Sequence, residues 1–392
     1  MPAEWRTPRN EARFSWAAAP VRLGQQGSEP LIFKSNTERC DMLMVKTIPP
    51  DAVWCMRSVF RHWTIRGLLA LCLVLGLFSS TSGLAAEQSF ADWLADLRAD
   101  ALQQGIHART LDNTLTITQP LDSVLVKDRA QPEFTLSYLQ YRSKLVSPER
   151  VRQGRLFLKQ HRALLRSISA RYGVPESVII ALWGIESSFG RDQGQQLIIP
   201  ALATLAYDGR RGAYFRGELL SALQMIDQGM APAGGLRGSW AGAMGQCQFM
   251  PSTYLRHARS WRGGVPGDIW SRLDDVFAST AGYLADSGWQ RGVTWGLNVT
   301  LPHGAAPHWF GPMGRRPASA WKKLGLRPTA GSLWPDPTTP LTLITADGVT
   351  PTGPYAGPVL LVSENFKVLM TWNRSIRFAG SVGTLADAVG RH

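Results

Sequence analysis

The sequence predicts a mainly α protein of the α+β type, a helical body followed by a small β-containing C-terminal part. Two observations carry this. From about residue 89 to 288, apolar residues recur at helical spacing between short breaks marked by Gly and Pro. After Trp289 the character changes: residues 300–340 are rich in Pro, Gly and Trp, and β-type runs follow in "LTLITADG" and "GPVLLVSENFKVLMTW". With 392 residues, 44% hydrophobic and 18% charged, the chain can bury a substantial core. No repeat and no low-complexity tract interrupts it.

In chain order, the first recognisable segment is "RHWTIRGLLALCLVLGLFSSTSGLAAEQSF". Arg61 and Arg66 precede a 12-residue apolar stretch, Gly67 to Phe78, and small residues then end in "GLAA". This order marks residues 56–85 as a secretory signal peptide, cleaved after Ala85 or Ala86; the run falls short of the roughly 20 residues of a spanning helix. Residues 1–55 would make too long a leader, so translation is expected to start at Met56, with export to the periplasm. Cys72 raises a lipid anchor as the minor alternative, the only route here to peripheral membrane association; the preceding "LAL" lacks the small residue such a site needs. Removing residues 1–85 lowers the formal charge from +13 to +9 and leaves Cys247 as the one cysteine. No internal disulfide is then expected. The basic residues are scattered rather than gathered into an arm, so no nucleic-acid partner is expected.

Residues 86–165 are expected to form an N-terminal helical part, 166–290 a catalytic core and 291–392 a C-terminal part. Ser89 caps a helix carrying Phe90, Trp93, Leu94 and Leu97. Ser147-Pro148 opens another that closes on Gly173, and Pro175 starts the next, which ends at Gly190. "GAYFRGELLSALQMIDQG" stops at Gly229, and "PSTYLRHARSW" and "LDDVFASTAGYLADSG" add two more. "SENFKVLMTWN" fits a strand or a helix equally.

On the helix from Pro175, Ile179, Leu182, Trp183 and Glu186 share one face, and the opposite face (Ile180, Ala181, Ile185) is apolar too. Desolvation there would raise the Glu186 pKa and equip it as a proton donor. A glutamate at a helix end can equally turn to solvent or pair with Arg191, and spacing alone leaves both open. In "GSWAGAMGQCQFMPSTY" small residues alternate with Gln246, Gln248, Phe249 and Tyr254. Glycine admits close approach, and amides and rings suit neutral sugars, though a tight packing loop fits as well. Residues 228–267 contain no Asp or Glu. A second carboxylate for a glycosidase pair would have to come from Asp192, Asp208 or Glu218, and Glu218 is expected in the first turn of its helix for dipole reasons. The seven His residues show no metal-ligand spacing. Cys247 with His257 is better explained as a small buried residue than as a thiol nucleophile.

"GIESSFGR", "ALATLAYDGRRGAYFRGEL", "GSWAGAMGQCQFMPSTY" and "AGYLADSGW", in this order, closely resemble the membrane-bound lytic murein transglycosylase B family, over roughly residues 89 to 392. The resemblance implies a lysozyme-like helical core with extra helices and small β parts. It also implies non-hydrolytic cleavage of the bond between N-acetylmuramic acid and N-acetylglucosamine in peptidoglycan glycan strands, leaving a 1,6-anhydromuramoyl end. Glu186 would be the single acid and base, with assistance from the muramic N-acetyl group. The family's cleft positions fall on Tyr141, Arg210, Arg211, Tyr214, Ser239, Gln248, Phe249, Tyr283 and Asn373. Two cleft tyrosines are replaced by Trp372 and Phe378, both expected to keep a ring facing the sugar. The calcium loop of some members reads "RSWRGGVPGDIW" here, with Asp268 its only acid, so neither a metal nor a cofactor is expected. A lysozyme-type hydrolase on the same glycan and a non-catalytic glycan-binding or scaffold protein, partnering other cell-wall enzymes, are the alternatives.

Overall fold

Capping chemistry sets the first helices. The computed structural model describes residues 88–391 apart from 131–135, 231–234, 264–266 and 330–331; the expected leader and signal peptide lie outside the described residues. Helix α1 (Phe90–Gln103) starts where Ser89 Oγ accepts from Asp92 N at 3.1 Å. Short helices α2 (Ala108–Thr114) and α3 (Asp122–Arg129) follow. A reciprocal pair of bonds between Ser137 and Gln140 opens α4 (Tyr138–Leu145).

The helix expected to run unbroken to Gly173 is two. α5 (Pro148–Gln160) and α6 (Arg162–Tyr172) meet at His161, whose φ −102 and ψ 17 leave the helical region. No Gly or Pro marks the break. The bend holds both Phe157 and His161 against the Trp183 ring, with centroids at 5.0 and 6.4 Å. Pro175 then caps α7 (Glu176–Ser187), which is buried continuously from Val178 to Ser187. Strand β1 (Gln196–Leu197), α8 (Ile198–Tyr207), α9 (Gly212–Asp227), β2 (Arg237–Gly238), α10 (Pro251–His257) and α11 (Leu273–Asp286) complete the helical body, with β1 and β2 paired antiparallel.

The C-terminal part holds a five-stranded antiparallel sheet. It is built from β3 (Gly296–Thr300), β4 (Arg316–Pro317), β5 (Arg327–Pro328), β6 (Pro340–Thr345) and β7 (Val359–Val362), in the order β4-β6-β7-β3-β5, with helix α12 (Ala318–Lys323) alongside. Leu361 lies opposite both Leu343 and Leu297, and these residues with Trp321 and Leu341 form a second small core. The ambiguous segment after β7 is a helix, α13 (Glu364–Trp372), because Ser363 Oγ accepts from Asn365 N and ends the strand. A final helix, α14 (Ile376–Gly390), returns to the helical body and packs along α7, α5 and α4. This return brings the end of α13 to the end of α7, where the functional site lies.

Candidate active site

α7 ends in a sharp reversal. Ser188, Phe189 and Gly190 all take positive φ (50, 61 and 82), and two of them are not glycine. Such strain persists only where the surroundings enforce it. Here the Phe189 ring folds back onto the helix and fills the space beside Gly184, where a Cβ would stand 2.6 Å from the ring. Phe157, Trp183 and Phe189 pack edge-on or tilted around this point, and Phe277 joins edge-on to Trp183. The aromatic cluster thus fixes the last turn, and Glu186 with it.

Glu186 is 8% exposed, and Trp372 Nε1 donates to its Oε1 at 2.7 Å. Its remaining surface opens on a cavity of about 460 Å³, whose wall includes Arg211, Tyr214, Glu218, Gln248, Phe249 and Met250. Ser252, Thr253, Arg256, Tyr283 and residues Thr371 to Arg374 complete the lining. Three rings make one wall: Phe249, Tyr283 and Trp372 lie 4.9 to 5.8 Å apart by centroid. Three guanidiniums, of Arg211, Arg256 and Arg374, edge the same space.

Of the residues singled out from the sequence, Glu186, Arg211, Tyr214, Gln248, Phe249, Tyr283 and Asn373 meet around this cavity. Gln248 is held in positive φ (51), its Nε2 donating to Gly245 O at 2.8 Å. Asn373 Oδ1 accepts from Ser375 N at 3.1 Å, at the break between α13 and α14. The others are not part of the lining. Ser239 Oγ accepts from Ala243 N at 3.0 Å and braces the glycine-rich loop. Arg210 donates through Nε to Asp128 Oδ2 at 2.9 Å, and Arg211 to Asp128 Oδ1 at 3.0 Å. Tyr141 is packed in the main core at 2% exposure, which leaves its ring no open face.

Several expectations need correction. Phe378 is wholly buried, so the ring expected to face the sugar faces the core instead, while Trp372 does line the cavity. Glu218 lies in the second turn of α9, not the first, because that helix begins at Gly212. It caps a different helix: its carboxylate accepts from Ser252 N at 2.9 Å and Ser252 Oγ at 2.8 Å, at the start of α10. Burial pushes its pKa up, and these bonds oppose the rise. Asp192 accepts from Gly194 N and Asp208 pairs with Arg129, both away from the cavity. Gln246 and Tyr254 are not open to a sugar either. Gln246 is a buried strut, accepting from Trp183 Nε1 at 2.8 Å and donating to Trp270 O at 2.8 Å, and Tyr254 is 1% exposed.

Burial first, and then Glu186 nearby, push the Cys247 thiol up to about 12; with its Sγ close to Val276 O and Thr280 Oγ1, it stays a neutral core residue. His257 is turned to Asp286 at 2.9 Å.

Among the described residues, the loop after α10 and the start of α11 do not fit a calcium ion. Asp274 and Asp275 join Asp268 there, so acids are not scarce. Arg262 Nε and Arg272 Nη2 reach Asp274 at 2.6 and 3.2 Å, and Asp275 accepts from Trp261 N and Asp268 N. Asp268 is taken by Trp270 N, Ser271 N and the Ser271 hydroxyl. Two guanidiniums therefore already offset two of the three carboxylates, and backbone and hydroxyl donors occupy the oxygens a cation would need.

Asp128 and the Trp372–Glu186 bond carried no sequence signal, since each acts across a long separation in the chain; Arg256, which lines the cavity, was not singled out, and Glu218 was weighed as a second carboxylate rather than as the cap of α10.

Comparison with known proteins places this geometry. The family model described as "Transglycosylase SLT domain" matches residues 89–387. The membrane-bound lytic murein transglycosylase B of Escherichia coli (strain K12) is 34% identical over 200 residues, 48% of this chain; the match spans about half, 55%, of that relative's length. Pseudomonas aeruginosa SltB3, solved in complex with NAG-anhNAM-pentapeptide, superposes with a TM-score of 0.69 at 39% identity, covering 76% of this chain and 79% of that one. The Escherichia coli lytic transglycosylase Slt35, in complex with bulgecin A, gives 0.63 at 29%, covering 76% and 92%.

Proposed function

The chain belongs to the transglycosylase SLT-domain family, and from that premise we propose that it is a lytic transglycosylase of peptidoglycan. It cleaves the glycosidic bond between MurNAc and GlcNAc in exported cell-wall strands and leaves a 1,6-anhydromuramoyl end. Glu186 gives its proton to the glycosidic oxygen as the C1–O bond breaks, while the muramic N-acetyl oxygen assists at C1. The Glu186 carboxylate then takes the proton of the C6 hydroxyl as O6 attacks C1 and displaces that oxygen. The proton is returned, no water is consumed, and the enzyme is ready again.

The observation that carries this reading is the placement of Glu186: 8% exposed, fixed at a strained helix end, and facing a cavity walled by three aromatic rings. Flat rings suit the apolar faces of sugars, and Gln248 and Asn373 supply amides for their hydroxyls. Arg256 and Arg374 complement the carboxylates of peptide stems. The anhydro fragment bound by the related Pseudomonas aeruginosa protein is the chemistry this reading assigns to the product.

Glu218 favours one rival. A second carboxylate in the cavity could serve a hydrolase that activates water. Both its oxygens are engaged with Ser252, however, which suits a structural cap better than a base. The test is Glu186→Gln against Glu218→Gln on purified cell wall, with a glycan pull-down alongside. The proposal expects Glu186→Gln to lose lysis by several orders of magnitude while still binding glycan. If Glu186→Gln lyses normally, another acid is the answer; if the wild type itself does not lyse, the non-catalytic scaffold is.

A further inference from the structure

We infer that Trp372 is a positioning residue that assigns the transferable proton of Glu186 to Oε2. This rests on the reading of Glu186 as the acid and base. The indole Nε1 lies 2.7 Å from Glu186 Oε1. An indole N–H donates and never accepts. The bond is therefore made with Oε1 as the bare carbonyl oxygen of the acid or as one oxygen of the carboxylate, and it is lost if a proton on Oε1 points at the indole. In the acid form the proton sits on Oε2. It leaves Oε2 for the glycosidic oxygen, and the proton from the C6 hydroxyl returns to Oε2. One oxygen gives and takes, and the indole bond persists through both steps without rearrangement.

The ring is built to stay in place. It stands edge-on to Tyr283 with centroids at 4.9 Å, and tilted against Phe249 at 5.3 Å. Tyr283 Oη in turn donates to Thr371 O at 2.8 Å, tying the last turn of α13 to α11. The helix then ends at Asn373, whose φ −144 and ψ 123 are extended. The resemblance puts a tyrosine at this position. A phenol can donate or accept and leaves the choice of oxygen open; the tryptophan of this chain closes it.

The titratable and charged groups that line the cavity with Glu186 are Arg211, Tyr214 and Glu218 at α9, Arg256 on α10, Tyr283 on α11 and Arg374 after α13, and Cys247 lies near it in the glycine-rich loop. None is altered by Trp372→Phe, which keeps a ring in the same aromatic wall. The experiment is a ¹³C NMR titration of the Glu186 carboxyl in the full protein, assigned by loss of its signal in Glu186→Gln. A carboxylate that loses a donor holds its proton more tightly. The inference expects Trp372→Phe to raise the Glu186 midpoint by about one pH unit, a tenfold change in the equilibrium. It also expects the basic limb of the kcat/KM profile to move up in step, with kcat falling about tenfold and KM little changed. Trp372→Tyr, which still donates, should bring the midpoint back toward wild type. An unmoved midpoint in Trp372→Phe overturns the inference, since a purely packing role predicts that result. If Glu186→Gln still yields anhydro products, the reading of Glu186 itself is what fails, whatever the titration gives.

Discussion

Replacing Gly190 by alanine tests how the end of α7 is held. Gly190 has φ +82, and an added Cβ would overlap Gln246 Oε1 and stand 2.9 Å from its Cδ. Gln246 cannot move cheaply: its amide oxygen accepts from buried Trp183, and its amide nitrogen donates to Trp270 O. The left-handed backbone alone costs an L-residue about 1–2 kcal/mol. Displacing Gln246 leaves the Trp183 indole N–H unpaired in the core, which adds about 1–3 kcal/mol. The total expected is about 2–5 kcal/mol. Gly209 is the control, with φ +79 and nothing nearer than Tyr207 O at 3.8 Å. Gly209→Ala should cost only the backbone share, about 1–2 kcal/mol. Urea unfolding of both variants at one pH reads the difference directly from the midpoints. Gly190→Ala should also lose activity, because Gln246 connects the glycine-rich loop to the helix of Glu186. Equal destabilisation of the two variants would refute the strut.

Three further outcomes follow from other parts of the molecule. Asp128→Ala should destabilise the fold by about 3–5 kcal/mol, because it takes the carboxylate from the Arg211 guanidinium, whose side chain is 6% exposed; a urea-measured loss below about 1 kcal/mol contradicts this. Burial lifts the Asp387 pKa to about 6, against the bond from Trp295. The folded state then binds the extra proton between about pH 4 and 6, so this group's contribution is lost as pH rises through that window, on the order of 3 kcal/mol. Asp387→Asn should remove that slope relative to wild type in unfolding curves at pH 4 and 7. Finally, adding calcium or a chelator should leave the melting temperature unchanged, since Arg262 and Arg272 already neutralise Asp274; a calcium-dependent rise contradicts this.

How much was legible in the sequence depended on how local the cause was. Helix starts at Ser89 and Ser147-Pro148 were readable because a cap and a proline act within one turn. The break at His161 was not, since tertiary ring packing makes it. α8 escaped notice because "IIPALATLAY" is apolar on nearly every side and shows no stripe. α14 carries Gly380 and Gly383, which weaken helix propensity but let the helix lie close to Tyr138 and Trp295. At the site, Glu186 and the glycine-rich loop stood out as chemistry misplaced in an apolar pattern, and the family motifs ranked them. The faces of Phe378 and Tyr141 were misjudged because a motif gives position, not orientation. The donor on Glu186 comes from 186 residues away, beyond any pattern of spacing.

The central claim is that one glutamate cleaves the glycan without water. Mass spectrometry of muropeptides released from purified cell wall measures it most directly, comparing wild type with Glu186→Gln. The account predicts anhydro products, one water lighter than the hydrolytic fragments, from wild type and none from the variant. Fragments that carry the extra water, or anhydro products that persist in Glu186→Gln, would contradict it.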